Sequence, residues 1–121
     1  MEKKIASAKL DSARISLIHS MAILKAIRGK RLEAGKKFLE ELLDQKRSLH
    51  GKYYPTAAKK ILEMLEAVEA NAKVKDLTVE KLFIKTAKAD KGFRFIRPRT
   101  RWRLRGRKVK SATVLIEVAE R

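Results

Sequence analysis

The chain has 121 residues, enough for one domain with a modest hydrophobic core. Its 31 lysines and arginines outnumber 14 aspartates and glutamates, which gives a formal net charge of +17. Self-repulsion of this size destabilises an isolated folded chain, so a polyanionic partner is expected. Nucleic acid fits best, because neutralising its closely spaced phosphates releases condensed counterions. A membrane surface is the weaker candidate.

Several classes of function are disfavoured by what the sequence lacks. There is no cysteine, which excludes disulfides, thiolate nucleophiles and thiolate metal sites. His19 and His50 have no partner at the spacing of a metal site or a catalytic triad, so both are predicted to be surface residues. No P-loop, dinucleotide-binding glycine pattern, signal-peptide-like run or bilayer-spanning stretch occurs. We therefore predict a cytoplasmic protein that is not an enzyme and needs no cofactor or metal.

The first predicted helix runs from Ser16 to Arg28. Ser16 is a plausible N-cap and Gly29 a plausible stop. Its apolar residues recur at steps of three and four, as one face of a helix requires, at Leu17, Met21 and Leu24, with Ile18 and Ala22 alongside. This stripe is predicted to face the core.

Two more helices follow. The second has a stripe of Leu32, Gly35, Leu39 and Leu42 and ends near Leu43. Gly35 inside it costs about 1 kcal/mol relative to alanine, so we expect it to permit close approach to a neighbouring helix. The third runs from about Thr56 to Lys73, with Pro55 suited to its first turn. Its stripe is Ile61, Leu65, Val68 and Ala72, widened by Ala58 and Leu62; Glu63, Glu66 and Glu69 beside it are predicted to pair with nearby lysines.

Strand-forming residues dominate after Asp76. One predicted strand is led by Thr78, Val79, Leu82, Phe83 and Ile84, and another alternates Ala112, Val114, Ile116 and Val118 with polar residues. Residues 4–10 could supply a third. The region 77–119 is therefore predicted to be one long hairpin rooted in a small three-stranded antiparallel sheet. The whole chain, residues 1–121, is predicted to be a single α+β domain with three helices packed on that sheet.

Residues 91–110, the basic hairpin extension, carry 10 basic and no acidic residues, whereas residues 1–90 carry 20 basic and 12 acidic ones. Every odd position from Arg97 to Arg107 is arginine, and a period of two gathers side chains along one face of an extended ribbon. Arginine can hold a phosphate through two hydrogen bonds and can stack on a base. Phe93, Phe95, Ile96, Trp102 and Leu104 lie among the arginines and can pack against bases or riboses.

The predicted RNA-binding residues are the cations of this extension, the single tryptophan, and four cations near the ends of the first two helices. They are Arg14, Arg28, Lys30, Arg31, Lys91, Arg94, Arg97, Arg99, Arg101, Trp102, Arg103, Arg105, Arg107, Lys108 and Lys110. The alternative interpretation of the basic segment is a solvated loop or a targeting signal that does not bind RNA. The runner-up function is an architectural DNA-binding protein whose basic β-arm wedges Pro98 or Ile96 between base steps. A membrane-active module would need a basic helix, which the period of two disfavours.

Three stretches carry a family pattern over nearly the whole chain. The first is Ala13-Arg14-Ile15-Ser16 with the helix end Ala26-Ile27-Arg28-Gly29-Lys30. The second is Ala57-Ala58 with Ala67-Val68-Glu69-Ala70-Asn71-Ala72, and the third is Ile96-Arg97-Pro98-Arg99 with the arginine-rich tip and terminal strand. Together they resemble the large-subunit ribosomal protein twenty-two family, in an archaeal-like form.

The resemblance implies three helices against a small sheet and a hairpin that reaches the nascent-peptide exit tunnel. It implies as partners large-subunit ribosomal RNA, neighbouring large-subunit proteins and the nascent polypeptide at the hairpin tip. Arg97, Arg99 and Arg103 match basic positions of the family motif. The sequence departs from the family at Leu17, where many members have proline, and at Trp102, where glycine is common. The connection 44–54 is also shorter than archaeal and eukaryotic members usually have.

Overall fold

The computed structural model describes residues 5–49, 51–93, 95–97 and 107–120, with the backbone alone at Ser12, 95–97 and 107–109. Three helices pack on one face of a three-stranded antiparallel sheet of order β1-β5-β2, as the α+β prediction required. The elements in chain order are β1 (Ile5–Ala13), α1 (Leu17–Ile27), α2 (Leu32–Leu43), α3 (Pro55–Val74), a 3-10 turn (Val79–Lys81), β2 (Leu82–Lys91), β3 (Phe95–Arg97), β4 (Arg107–Val109) and β5 (Ala112–Glu120). His50 lies outside the described residues.

The predicted strands are confirmed, with two changes at their ends. β1 extends to Ala13, beyond the expected 4–10. Thr78 and Val79 are not in β2, because the Lys81 N–H donates to the Thr78 carbonyl (3.1 Å) and the chain makes a 3-10 turn before the strand begins. The terminal strand β5 is central and pairs with both others, and its residues Ala112, Val114, Ile116 and Val118 are buried against the helices.

Helix α1 begins and ends as predicted but buries a different face. Ser16 accepts a hydrogen bond from the His19 N–H (3.3 Å), and Gly29 has a φ of +82°, which glycine adopts without strain. The predicted stripe is wrong at Ile18 and Met21, which are 77% and 53% exposed. The buried residues are Ser20, Ile23, Leu24 and Ile27. The Ser20 hydroxyl is satisfied there because it donates to the Ser16 carbonyl (2.8 Å).

The stripes of α2 and α3 are confirmed, and Gly35 is buried where the layers are closest. A Cβ at Gly35 would lie 3.0 Å from the Ile84 side chain of β2 and 3.7 Å from Leu65 of α3. The closest neighbour of Gly35 is therefore strand β2. The predicted close approach to another helix is seen only in the longer contact, with α3. Glu69 forms ion pairs with Lys36 and Lys73 and so links α2 to α3.

Two side chains at the C-terminal end of α3 bind carbonyl groups at the outer edge of the sheet, on β1. The Asn71 side-chain amide donates to the Ser7 carbonyl (2.9 Å), and the Lys75 ammonium donates to the Ile5 carbonyl (2.9 Å). An unpaired strand edge invites pairing with another chain, and charged or capping side chains prevent it. The asparagine of the alanine-asparagine-alanine stretch thus has a structural role at this edge.

Candidate nucleic-acid interface

The basic extension grows directly out of the sheet. Strands β2 and β5 pair as far as Lys91 and Ala112, and the Gly92 N–H then donates to the Ser111 carbonyl (3.0 Å). The Ser111 hydroxyl donates to the Phe93 carbonyl (2.5 Å), and the side chain of Ser111 is buried. Beyond this point β3 and β4 continue the two strands as an antiparallel pair. The root of the predicted hairpin is therefore held by the same ladder that crosses the core.

A one-residue bulge sets the register of the arginines. Lys91 is opposite Ala112 and Phe95 is opposite Val109, so four steps along one strand match three along the other. With this bulge Arg97 lies directly opposite Arg107, whereas the register of β2 and β5 would have placed Gly106 there. Like charges directly opposite one another destabilise an antiparallel pair. The register therefore concentrates positive charge, and a bound polyanion would relieve the repulsion between these arginines.

The predicted site residues fall into three groups. Arg94, Arg99, Arg101, Trp102, Arg103 and Arg105 lie outside the described residues. Arg97, Arg107 and Lys108 are placed by backbone register only. Arg14, Arg28, Lys30, Arg31, Lys91 and Lys110 are all exposed on the body or at the hairpin root.

Three of these exposed cations come together in one cleft. Arg14 lies in the turn before α1, Lys91 ends β2 and Lys110 precedes β5, and all three line a cleft of about 700 Å³ at the root of the hairpin. Ile15, Ser16, Leu17, Ile18 and Ser111 complete the lining. We call this the root cleft. The cations of the root cleft can be recognised in the sequence, but its apolar wall cannot, because a cleft between a helix and a strand end has no local signature.

Arg28 and Lys30 already have structural roles on the body. The Arg28 guanidinium donates from Nε (3.2 Å) and Nη2 (2.7 Å) to the Ala87 carbonyl at the outer edge of β2. The Lys30 ammonium lies 4.8 Å from the centroid of the buried Phe38 ring, a cation–π distance. The Arg28 contact depends on which strand forms the edge of the sheet, which the local sequence does not indicate.

A second cleft lies along the other end of α1. It measures about 510 Å³ and is lined by Met21, Ala22, Leu24, Lys25, Arg28, Lys88 and Ala89. Lys25 and Lys88 are exposed and were not among the predicted site residues. No acidic residue is found among the described residues that line either cleft.

The acidic residues of the three helices are confined to α2 and α3. No acidic residue occurs between Asp11 and Glu33, a span that contains all of α1. Helices α2 and α3 carry Glu33, Glu40, Glu41, Glu63, Glu66 and Glu69. Helix α1 and the linings of the two clefts therefore present cations without acidic side chains, and this surface is suited to a polyanion. Asp90, beside Lys91 on β2, is the acidic residue nearest the hairpin root in the sequence.

The described residues offer little for other kinds of site. They contain no group of three or more histidine, aspartate or glutamate side chains that could hold a metal ion. None of the helices they form is both long and apolar enough to cross a membrane. His19 is exposed, as predicted, and its ring lies 4.6 Å from that of Tyr54.

Comparisons with known proteins agree with this geometry. A family model described as ribosomal protein L22p/L17e matches residues 8–120. A large ribosomal subunit protein uL22 from Archaeoglobus fulgidus is 36% identical over 110 residues, covering 75% of this chain and 71% of the relative. The protein of that name from Methanocaldococcus jannaschii is 33% identical over 109 residues, covering 74% and 70%. That from Methanocella arvoryzae is 29% identical over 136 residues, covering 95% and 89%.

Proposed function

The chain belongs to the ribosomal protein L22p/L17e family, and from that premise we propose that it is a structural constituent of the large ribosomal subunit that binds and organises ribosomal RNA. Members of this family are structural proteins and not enzymes, and the archaeal relatives named above fit the archaeal-like sequence pattern. Its site of action would be the ribosome in the cytoplasm, with neighbouring large-subunit proteins as further partners. The observation that carries the RNA-binding proposal is the register that sets Arg97 opposite Arg107 at the base of an acid-free segment.

We propose separate roles for the body of the domain and for its basic extension. Residues 1–121 act as one domain, and its basic extension, residues 91–110, reaches into folded RNA. The arginines of the extension hold phosphates, while Trp102 and its apolar neighbours pack on bases. The exposed cations Arg14, Arg31, Lys91 and Lys110 bind RNA from the body and the root. At its tip the extension lines the exit tunnel and contacts the nascent polypeptide.

A salt titration tests the RNA-binding role of the extension. In the full chain, the six arginines at odd positions 97–107 are replaced by glutamine, and binding to transcribed archaeal large-subunit ribosomal RNA is measured across salt concentrations. Each lost phosphate contact reduces the slope of log affinity against log salt by roughly 0.7 to 0.9, so the slope should fall by about four to five. A control of equal charge change neutralises exposed lysines of the body, namely Lys37, Lys46, Lys52, Lys59, Lys60 and Lys81.

Two results would overturn this proposal. The first is an unchanged slope in the arginine variant. The second is displacement of the RNA by duplex DNA at equal salt and concentration, which would favour the architectural DNA-binding alternative.

The tunnel contact needs a separate test. A photo-crosslinking amino acid at position 102 should label nascent chains in assembled ribosomes, and the same group at position 59 should not; equal labelling from both positions contradicts the tunnel placement.

A further inference from the structure

The root cleft combines charge with an open apolar wall. Its cations Arg14, Lys91 and Lys110 come from three separate segments of the chain and are all exposed. Its volume of about 700 Å³ lies within the ~300–1,000 Å³ range typical of small-ligand sites. The cleft is therefore large enough for a ligand with both an anionic and an apolar part.

The apolar wall is formed by the first turn of α1. Ile15 is buried, Leu17 is half-buried, and Ile18 is 77% exposed. Ile18 contributes little to the core, yet it lies on a surface whose other prominent side chains are cations. Burial of this side chain against a ligand would stabilise a complex without any cost to the packing of the body.

The floor of the cleft is fixed by the hairpin root. Ser111 is 5% exposed and lines the cleft, and its hydroxyl is bonded to the Phe93 carbonyl. The Gly92 N–H is bonded to the Ser111 carbonyl in turn. Lys91 and Lys110 thus flank hydrogen bonds that hold the ends of β2 and β5 together, which limits how far these two cations can separate.

We infer that the root cleft binds one unpaired nucleotide of RNA, with its phosphate among Arg14, Lys91 and Lys110 and its base against Leu17 and Ile18. The inference rests on the proposed RNA-binding function. A base inside a continuous duplex is stacked between its neighbours, whereas the bases of loops and bulges are free to pack on protein side chains. Strands β3 and β4 continue β2 and β5, so an RNA strand bound along the basic extension would lead toward this cleft.

Site-directed cleavage identifies the nucleotide. Because the chain has no cysteine, Ile18→Cys provides a single attachment point for a tethered hydroxyl-radical source on the full-length protein bound to large-subunit ribosomal RNA. Cleavage should centre on a nucleotide that is unpaired in the RNA secondary structure. The matched control is Val74→Cys, at the equally open end of α3, where Val74 is 83% exposed. Cleavage centred within a continuous duplex overturns the inference, and so does a cleavage pattern identical to that from position 74.

A double-mutant cycle then tests the contact itself. Removing the base at the identified nucleotide should weaken binding about tenfold, in the range typical of a single packed base. Ile18→Ala should weaken binding to intact RNA about fivefold but should cause no further loss on the abasic RNA, because the two changes remove the same contact. Val74→Ala, which also replaces an exposed β-branched residue of a helix, should leave both affinities unchanged.

The phosphate contact is tested with a variant at Lys91 and a matched control at another lysine of the same strand. Lys91→Gln should lower the salt slope by about one, whereas Lys85→Gln, also an exposed lysine of β2, should not. If Lys91→Gln lowers the slope but Ile18→Ala and the abasic RNA have no effect, the cleft holds only backbone phosphate and the inference is wrong. If the unmodified chain binds no ribosomal RNA, the proposed function itself fails. Those two failures are distinguishable.

Discussion

Strands β2 and β5 pass through two different surroundings. From Leu82 to Ala87 the helix-facing residues of β2 are buried beneath α1 and α2. At Lys91 the strand ends and the chain enters the hairpin root, where Lys91, Phe93 and Lys110 are exposed. One ladder of hydrogen bonds therefore belongs first to a core and then to a charged surface.

This contrast separates the source of stability from the source of binding. In the body, removal of apolar side chains from water supplies the driving force for folding. At the hairpin, mutual repulsion among cations opposes folding. When a polyanion binds, the net electrostatic contribution of these cations becomes favourable. Substitutions in the two regions should consequently have opposite profiles, with large effects on unfolding in the body and large effects on salt-dependent binding at the hairpin.

The largest effect on stability is expected at the centre of the sheet. Ile116 is fully buried in β5, so Ile116→Ala should lower the free energy of unfolding by about 2 to 5 kcal/mol. The adjacent Leu115 is only half-buried, and Leu115→Ala should cost clearly less. Urea denaturation measures both variants. Equal losses would mean that the helix-covered face of β5 is not the main core.

Gly35 offers a sharper test of packing between the layers. Gly35→Ala gains up to about 1 kcal/mol of helix propensity. It also forces the new Cβ to within 3.0 Å of the Ile84 Cδ1 atom, and overpacking of this kind costs about 1 to 3 kcal/mol. We expect a net loss of about 1 kcal/mol. In an Ile84→Val background, which lacks the contacting atom, the same substitution should become neutral or stabilising. The absence of any coupling between the two positions would contradict the close approach.

Arg28 is expected to have a smaller effect. Arg28→Gln removes the two donors to the Ala87 carbonyl, and a net loss of about 0.5 to 1.5 kcal/mol is typical of such bonds. Lys25→Gln, one turn earlier in α1 and equally a loss of one charge, should change stability by less than about 0.5 kcal/mol. Amide exchange along β2 should increase only in the first variant. An effect confined to RNA affinity would instead assign Arg28 to the binding surface alone.

Local signals explain why so much of the fold could be predicted. Ser16 marks a helix start through its side-chain hydroxyl, and Gly29 and Pro55 mark helix ends through their backbone conformation. The alternation in β5 indicates its buried face directly. Helix α1 was harder, because its sequence is apolar on more than one side. Periodicity alone could not choose between the face of Met21 and that of Ile23. The sheet makes that choice through packing, which is a property of the tertiary structure.

The site was predictable in its charge and not in its shape. The odd-numbered arginines identified the binding segment, but the bulge that sets Arg97 opposite Arg107 arises between Gly92 and Phe95 without a distinctive local motif. The root cleft depends on three chain segments that meet only after folding. Sequence also could not tell which cations serve the body, as Arg28 does at the edge of β2.

The smallest effect on stability is expected at the register pair Arg97 and Arg107. Replacing both with glutamine should change the free energy of unfolding by less than about 0.5 kcal/mol, or raise it slightly, because the substitution removes two like charges placed directly opposite each other. The same variant should lower the salt slope of RNA binding by about two. Lys37→Gln with Lys59→Gln, an equal change of charge on exposed positions of α2 and α3, should alter neither quantity. A loss of stability comparable to that of Ile116→Ala would place the hairpin within the cooperative core, and the separation of stability from binding would no longer hold.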